Sequence, residues 1–420
     1  MLRRRVRRRA TRHALRPRRH ADRLHRRRHR GPRRRRADGR DRRVPALGRL
    51  AQAGPRRRFG LGVGPAAHRR RAPLRPAGRR HADRRVVPPA ARPVLSHAVT
   101  RAVPHTTDPT WPEIAEDRFA GTIRGDTPSG CAVALLGAAD DLGVRLNHGR
   151  PGAADGPRAF RAALARFGTT YDAARRAPLD VPVFDAGDLV PARGDTDEAL
   201  TETHARLTEA CAALHAMGLV TAVIGGGHDL TFPAVRALAD HAGGAVGGIN
   251  VDPHLDVRET VGSGMPYRRL IDGGFLNPRR FVELGAGRFS NSRAHAEWLA
   301  GLGATIILDT DSAPADAVDR AIGVALPEAG SAGFVSIDLD VIDGSRAPGV
   351  SSVNPAGLPV GAVCDIARRA GADGRVGHFD IMELCPPHDD PPGAGRTARV
   401  AALIFLHFIA GFAQRGGAAP

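Results

Sequence analysis

Residues 245–256 read Ala-Val-Gly-Gly-Ile-Asn-Val-Asp-Pro-His-Leu-Asp, an uncharged run that hands over to three ligand-type side chains at alternate positions. Side chains at i, i+2 and i+4 share a face in extended backbone, so Asp252, His254 and Asp256 converge where a strand ends. Carboxylate with imidazole suits a divalent transition ion such as Mn, Fe or Zn. Two more fragments repeat the plan. Gly225-Gly226-Gly227-His228-Asp229 follows the apolar run Leu219 to Ile224, and Ser336-Ile337-Asp338-Leu339-Asp340 follows Gly333-Phe334-Val335.

Outward from these fragments, strand-length apolar runs alternate with helix-length amphipathic stretches through residues 102–420, the pattern of a parallel sheet with crossover helices. This predicts one α/β domain. Strands are expected at 132–137, 181–184, 220–224, 246–251, 281–284, 304–308, 333–337 and 376–381. Helices are expected at 157–167, 197–217, 231–241, 292–302, 315–326, 360–370 and 396–412. Ligands of open parallel sheets bind outside the carboxyl ends of the strands, where His228, the Asp252 triplet and the Asp338 pair fall.

The first quarter of the chain is different in kind. Residues 1–101 carry 36 Arg, 4 Asp and no Glu, a net of +32, so the total of +20 leaves −12 for residues 102–420. A segment rich in Arg and Pro and poor in apolar periodicity cannot bury enough surface to offset its ordering entropy, and disorder is expected there. An arm for phosphates or an anionic surface would be basic too, but no aromatic residues interleave the arginines. Transit and secretory signals fit poorly, lacking the Ser-rich amphipathic pattern of the one and the apolar core of the other. All 63 Lys and Arg residues of the chain are Arg, which favours a start assigned too early in high-GC DNA, with the working protein beginning near Val99 or Val103. The basic total then says nothing about partners, and nucleic-acid binding is not expected. Cys131, Cys211, Cys364 and Cys385 are too far apart for a CxxC pair, and Cys131 and Cys211 read as small buried residues. No transmembrane run is present, so a reducing, cytoplasmic setting away from membranes is expected.

His228, Asp252, His254, Asp256, Asp338 and Asp340 supply four carboxylates and two imidazoles, enough for two divalent ions if some carboxylates bridge. Without metal such carboxylates would repel in a low-dielectric cleft. Two cations lower the pKa of a shared water and stabilise charge as it attacks, so metal-assisted hydrolysis is the reaction class. A single DxD or DxHxD is a weak signal, and a lone His after three glycines is ordinarily a loop residue. Three such fragments at successive strand ends are specific.

The order and wording of the fragments resemble the ureohydrolase family of arginase, agmatinase and formimidoylglutamase. The resemblance spans nearly all of residues 130–412 and also rests on Ala347-Pro348-Gly349-Val350 with Asn354-Pro355, and on Asp380-Ile381-Met382-Glu383-Leu384. It implies a three-layer α-β-α fold around a mostly parallel sheet of about eight strands, and a homo-oligomer. It also implies two Mn²⁺ ions per chain: one on His228, Asp252, Asp256 and Asp338, the other on His254, Asp252, Asp338 and Asp340. Glu383 then lies beside the cationic amidine or guanidine of a small-molecule substrate, which a carboxylate suits by charge and hydrogen bonding.

Departures from arginase narrow the choice. Where arginase has a proton-shuttling His, Ser263-Gly264-Met265-Pro266-Tyr267-Arg268 has Tyr267, and this segment looks like that of formimidoylglutamase. Residues 143–150, Ser290-Asn291-Ser292 and Gly395-Arg396-Thr397-Ala398-Arg399 point the same way. The expected reaction is N-formimidoyl-L-glutamate plus water to L-glutamate plus formamide, a step of histidine degradation. Asp256 is the expected acid for the leaving nitrogen, with Tyr267 as a second candidate. The substrate's two carboxylates call for cations, and Arg258, Arg268 and Arg150, with Asn147, are the expected binding residues. The alternatives are a ureohydrolase acting on a guanidino acid, a degenerate nucleic-acid-associated relative if the basic arm is genuine, and a mononuclear zinc deacetylase-like enzyme.

Overall fold

The structure, a computed structural model, describes residues 103–311, 315–393 and 395–415. The expectations for residues 1–101 concern a segment outside these. In chain order the elements are β1 (Val133–Ala138), α1 (Leu142–Leu146), α2 (Gly156–Leu164), β2 (Tyr171–Asp172), β3 (Ala177–Pro178), β4 (Val183–Asp188), α3 (Asp197–Ala216), β5 (Val220–Gly225) and α4 (Thr231–Ala242). They continue with β6 (Val246–Val251), α5 (Pro266–Asp272), β7 (Leu276–Ala286), α6 (Arg293–Gly301), β8 (Thr305–Leu308), α7 (Ala315–Ala325), β9 (Gly333–Asp338), α8 (Val360–Ala372), β10 (Val376–Met382) and α9 (Arg396–Phe412).

Eight strands form one sheet in the order β4-β1-β5-β10-β9-β6-β7-β8, and every pairing in it is parallel. Its central strands are buried on both faces, as crossover helices require. Along β1, Val133 and Leu135 join the apolar layer under α2, α8 and α9, while Ala134, Leu136 and Ala138 join the layer under α3 and α4. A third cluster packs β6 and β7 against α4, α5 and α6 through Val246, Phe281, Leu270 and Leu299. The result is the expected three-layer sandwich.

Local chemistry sets the element starts. The Thr196 hydroxyl accepts from the Ala199 amide to cap α3, whose first turn carries Asp197 and Glu198, and Ser292 accepts from His295 to cap α6. Each device satisfies an orphan amide and complements the helix dipole. All eight sheet strands overlap the expected segments, although β4 begins two residues later and ends four residues later than expected. Not expected from sequence are α1 and α5, which are too short to display a helical period, and the two-residue antiparallel pair β2–β3. β7 is longer than expected, because residues 276–280, mostly polar, extend the strand before its apolar half.

All four cysteines are free, and Cys131 is only partly buried rather than buried as expected, because it lies in the turn before β1. No described helix is long and apolar enough to cross a membrane.

Candidate metal centre

Four adjacent strands in the middle of the sheet, β5, β10, β9 and β6, deliver their carboxyl ends to one place. His228 follows β5, Glu383 follows β10, Asp338 ends β9 with Asp340 just beyond, and Asp252, His254 and Asp256 follow β6. The glycines after β5 are required by space. A Cβ on Gly226 would meet the Asp140 carbonyl oxygen at 1.8 Å, so only glycine lets the chain turn against β1 and point His228 over the sheet.

The imidazole Nδ1 of His228 lies 3.0 Å from an Asp252 oxygen, 3.0 Å from one of Asp338 and 3.2 Å from one of Asp256. One ligand atom from each of these four residues falls within 4.8 Å of the others, the only such group among the described residues. His254 and Asp340 stand beside it. The His254 ring is 3.3 Å from Asp252, and the backbone amides of His254 and Asp340 donate to Asp252 and Asp338. His228 Nδ1 and one oxygen of Glu383 are buried without a hydrogen-bond partner. A buried nitrogen facing three carboxylates, itself unsatisfied, is what a divalent cation would complete. The donor set therefore fits a metal.

Electrostatics agree. Burial and the neighbouring Asp252 push Asp338 up to about 6, and burial with Asp338 pushes Glu383 up to about 8. Burial with Asp338 and Glu383 drives Asp340 well above its usual range. Burial opposes charge on His254, but Asp252 and the surrounding carboxylates prevail and raise it to about 9. Protons thus do part of the neutralising that a cation would do better.

Two of the acids stand on strained backbone. Asp256 has φ +46° and Glu383 φ +62°, the left-handed region that side-chain-bearing residues rarely occupy. Such strain persists only where surrounding contacts enforce it, and it clusters at functional sites. Here the Glu383 amide donates to the Gly226 carbonyl, and a Glu383 oxygen accepts from the His228 amide at 3.0 Å, locking β10 to the β5 turn.

The site opens into a cleft of about 220 Å³. His254, Asp256, Asp338, Asp340 and Glu383 line it together with Asn147, Arg258 and Ser263, and with Ser351 and Ser352. Arg258 donates to the side-chain amide oxygen of Asn147 at 2.6 Å. A larger, open cavity of about 720 Å³ lies at the amino ends of β5 and β10, away from these carboxylates.

Three expected residues sit elsewhere. Tyr267 is fully buried in α5, its ring among Phe281 and Phe334 and its hydroxyl against the far nitrogen of His228; it does not reach the cleft and cannot serve as the acid expected of it. Arg268 lies over the Trp298 ring at 4.3 Å and pairs with Asp272 and Glu259, so it is not a substrate clamp. Arg150 is exposed and donates to the Val350 carbonyl, bracing the loop that carries Ser351 rather than lining the cleft. Ser351 and Ser352 are not among the expected site residues, although both follow directly on the Ala347–Val350 motif. Asn250 and Glu283, buried behind the ligands on β6 and β7, gave no signal because they read as polar interruptions of apolar strands.

Comparison with known proteins places this geometry. The model of the arginase family matches residues 131–411. The formimidoylglutamase of Chromobacterium violaceum is 33% identical over 282 residues, covering 66% of this chain and 87% of its own length. That of Halobacterium salinarum is 33% identical over 320 residues, 73% of this chain and 96% of its own. The crystal structure of Trypanosoma cruzi formiminoglutamase with manganese superposes with a TM-score of 0.64 at 31% identity, covering 71% of this chain and 99% of that one.

Proposed function

The chain belongs to the arginase family, and we propose that it hydrolyses N-formimidoyl-L-glutamate to L-glutamate and formamide. One observation carries the reading beyond the family: the small cleft joins a carboxylate-rich floor to the Arg258–Asn147 pair. A cation-accepting floor facing a guanidinium suits a substrate that is cationic at its amidine and anionic at its tail.

His228, Asp252, Asp256 and Asp338 would hold one manganese ion, and His254, Asp252, Asp338 and Asp340 a second. Bound there, the ions would polarise water and stabilise the negative charge that develops as the formimidoyl carbon is attacked. The residues of the chain do the rest. Glu383, with an oxygen free of protein partners, accepts from the amidinium N–H groups and fixes the reacting carbon over the floor. The approaching cation favours its carboxylate form against the burial that otherwise protonates it. Arg258, steadied by Asn147, receives a substrate carboxylate in its planar fork. Asp256 lines the cleft and takes the proton of the attacking water to the departing nitrogen. The bond between the formimidoyl carbon and the glutamate nitrogen breaks; the amine leaves as glutamate, and the carbon keeps the water oxygen as formamide.

The purified protein with manganese is expected to release formamide and glutamate in equal amounts from N-formimidoyl-L-glutamate. Faster turnover of a guanidino acid, or abundant urea from arginine, would overturn the substrate assignment.

A further inference from the structure

Behind the floor of the cleft, on the side away from substrate, a buried set of polar side chains touches the ligand His228. We infer that Tyr267 is a positioning residue for the metal centre: its hydroxyl fixes the tautomer and orientation of His228 and, through Asn250, ties that imidazole to Asp252. The inference rests on the metal-site reading above and goes beyond it by assigning a role to residues that touch neither metal nor substrate.

The direction of each proton carries the argument. Two oxygens face His228 Nε2, the Tyr267 hydroxyl at 3.1 Å and the Ser336 hydroxyl at 3.0 Å. The Tyr267 O–H donates to the Asn250 side-chain oxygen at 2.7 Å, because the Asn250 amide nitrogen is committed to Glu283 at 3.1 Å and to Asp252 at 3.4 Å. On the other branch the Thr231 hydroxyl donates to an Asp380 oxygen at 2.9 Å, leaving Thr231 as the acceptor for Ser336 at 3.3 Å. Both hydroxyl protons therefore run away from the imidazole, and both oxygens are left as acceptors. When His228 is neutral, as a metal ligand must be, its hydrogen therefore sits on Nε2 and its lone pair on Nδ1, the atom that faces Asp252, Asp256 and Asp338. Metal-ligating histidines are commonly oriented this way by a partner on the other nitrogen.

Tyr267 does more than Ser336, because it reaches three proposed ligands on two segments, the turn after β5 and the stretch after β6. Its backbone amide donates to the carbonyl of Asp256 at 3.2 Å, its hydroxyl touches His228, and Asn250 carries the contact on to Asp252. Its ring is held between Phe281, at 4.7 Å between centroids, and Phe334, at 6.2 Å. The aromatic packing would survive loss of the hydroxyl alone.

Tyr267→Phe is the test, read by manganese titration of metal-free protein with free ion followed by electron paramagnetic resonance. The variant is expected to fold with a modestly lower thermal midpoint in chelator, since the buried Asn250 oxygen loses its donor, and to bind manganese about tenfold more weakly. Its kcat is expected to return towards the parent's at saturating manganese, which a residue donating protons to substrate would not allow. Ser336→Ala, which removes the other acceptor, is expected to weaken binding less. Equal affinity of Tyr267→Phe and parent would overturn the inference while leaving the metal site standing. Absence of manganese binding by the parent would instead overturn the site itself.

Discussion

At the scale of single residues, Glu383 joins three properties that ordinarily exclude one another: full burial, a left-handed backbone and an oxygen without a partner. Each costs stability, and together they suit the role proposed for Glu383, an acceptor for a cationic group. Glu383→Gln keeps an oxygen for the His228 amide but removes the charge, so the protein should fold and still bind manganese. The loss of a charge-assisted contact, worth about 1.5–3 kcal/mol, should lower kcat/KM roughly tenfold to a hundredfold, measured by formamide release. The motif Asp380–Leu384 made Glu383 visible in sequence, since it follows an apolar run in family order. Its strain and its unpaired oxygen were not visible, because both arise from the contact of β10 with the β5 turn. Tyr267 is the converse case. Its identity stands out in the sequence but its role does not, since sequence position cannot say which face of His228 a side chain reaches.

At the scale of elements, the short helices were the hardest to see and matter most to the site. α5 has seven residues, yet it carries Tyr267 beneath His228 and Arg268 out to Trp298. A helix of fewer than two full turns has too few positions to show a period, and its stability comes from packing rather than propensity. α2 is longer and is docked by charge. Arg161, 2% exposed, donates two nitrogens to Asp185 at 2.8 Å and another to Asp188, so it pins α2 to β4. Arg161→Met strands a buried carboxylate and should destabilise the fold by about 3–5 kcal/mol, seen as a lower denaturant midpoint. An unchanged midpoint would mean that Asp185 is not left as an unpaired buried charge and that Arg161 does not pin α2 to β4. This cluster was not legible in the sequence, where Arg161 reads as one more polar residue on an amphipathic helix.

At the scale of the whole molecule, the order of strands decides the chemistry. β9 and β10, last in the chain, insert between β5 and β6, so the proposed ligands His228 and Asp338, more than a hundred residues apart, share one floor. The crowding has a pH signature. In the metal-free protein Asp338 keeps its proton up to about 6 and His254 up to about 9, and manganese must displace these protons to bind. Apparent affinity should therefore weaken as pH falls from 8 to 6, with proton release detected calorimetrically in buffers of different ionisation enthalpy. A flat affinity over that window would show that the ligands do not carry those protons. The sequence by itself determined the eight parallel strands, the residue types at their carboxyl ends and the family, because hydrophobic period and ligand spacing are local and survive in one dimension. Only the tertiary structure decided which candidates meet. It kept Arg258 and Asn147 in the cleft, turned Arg268 to the surface and put Tyr267 behind His228, because side-chain direction and long-range neighbours follow from how the strands and helices pack.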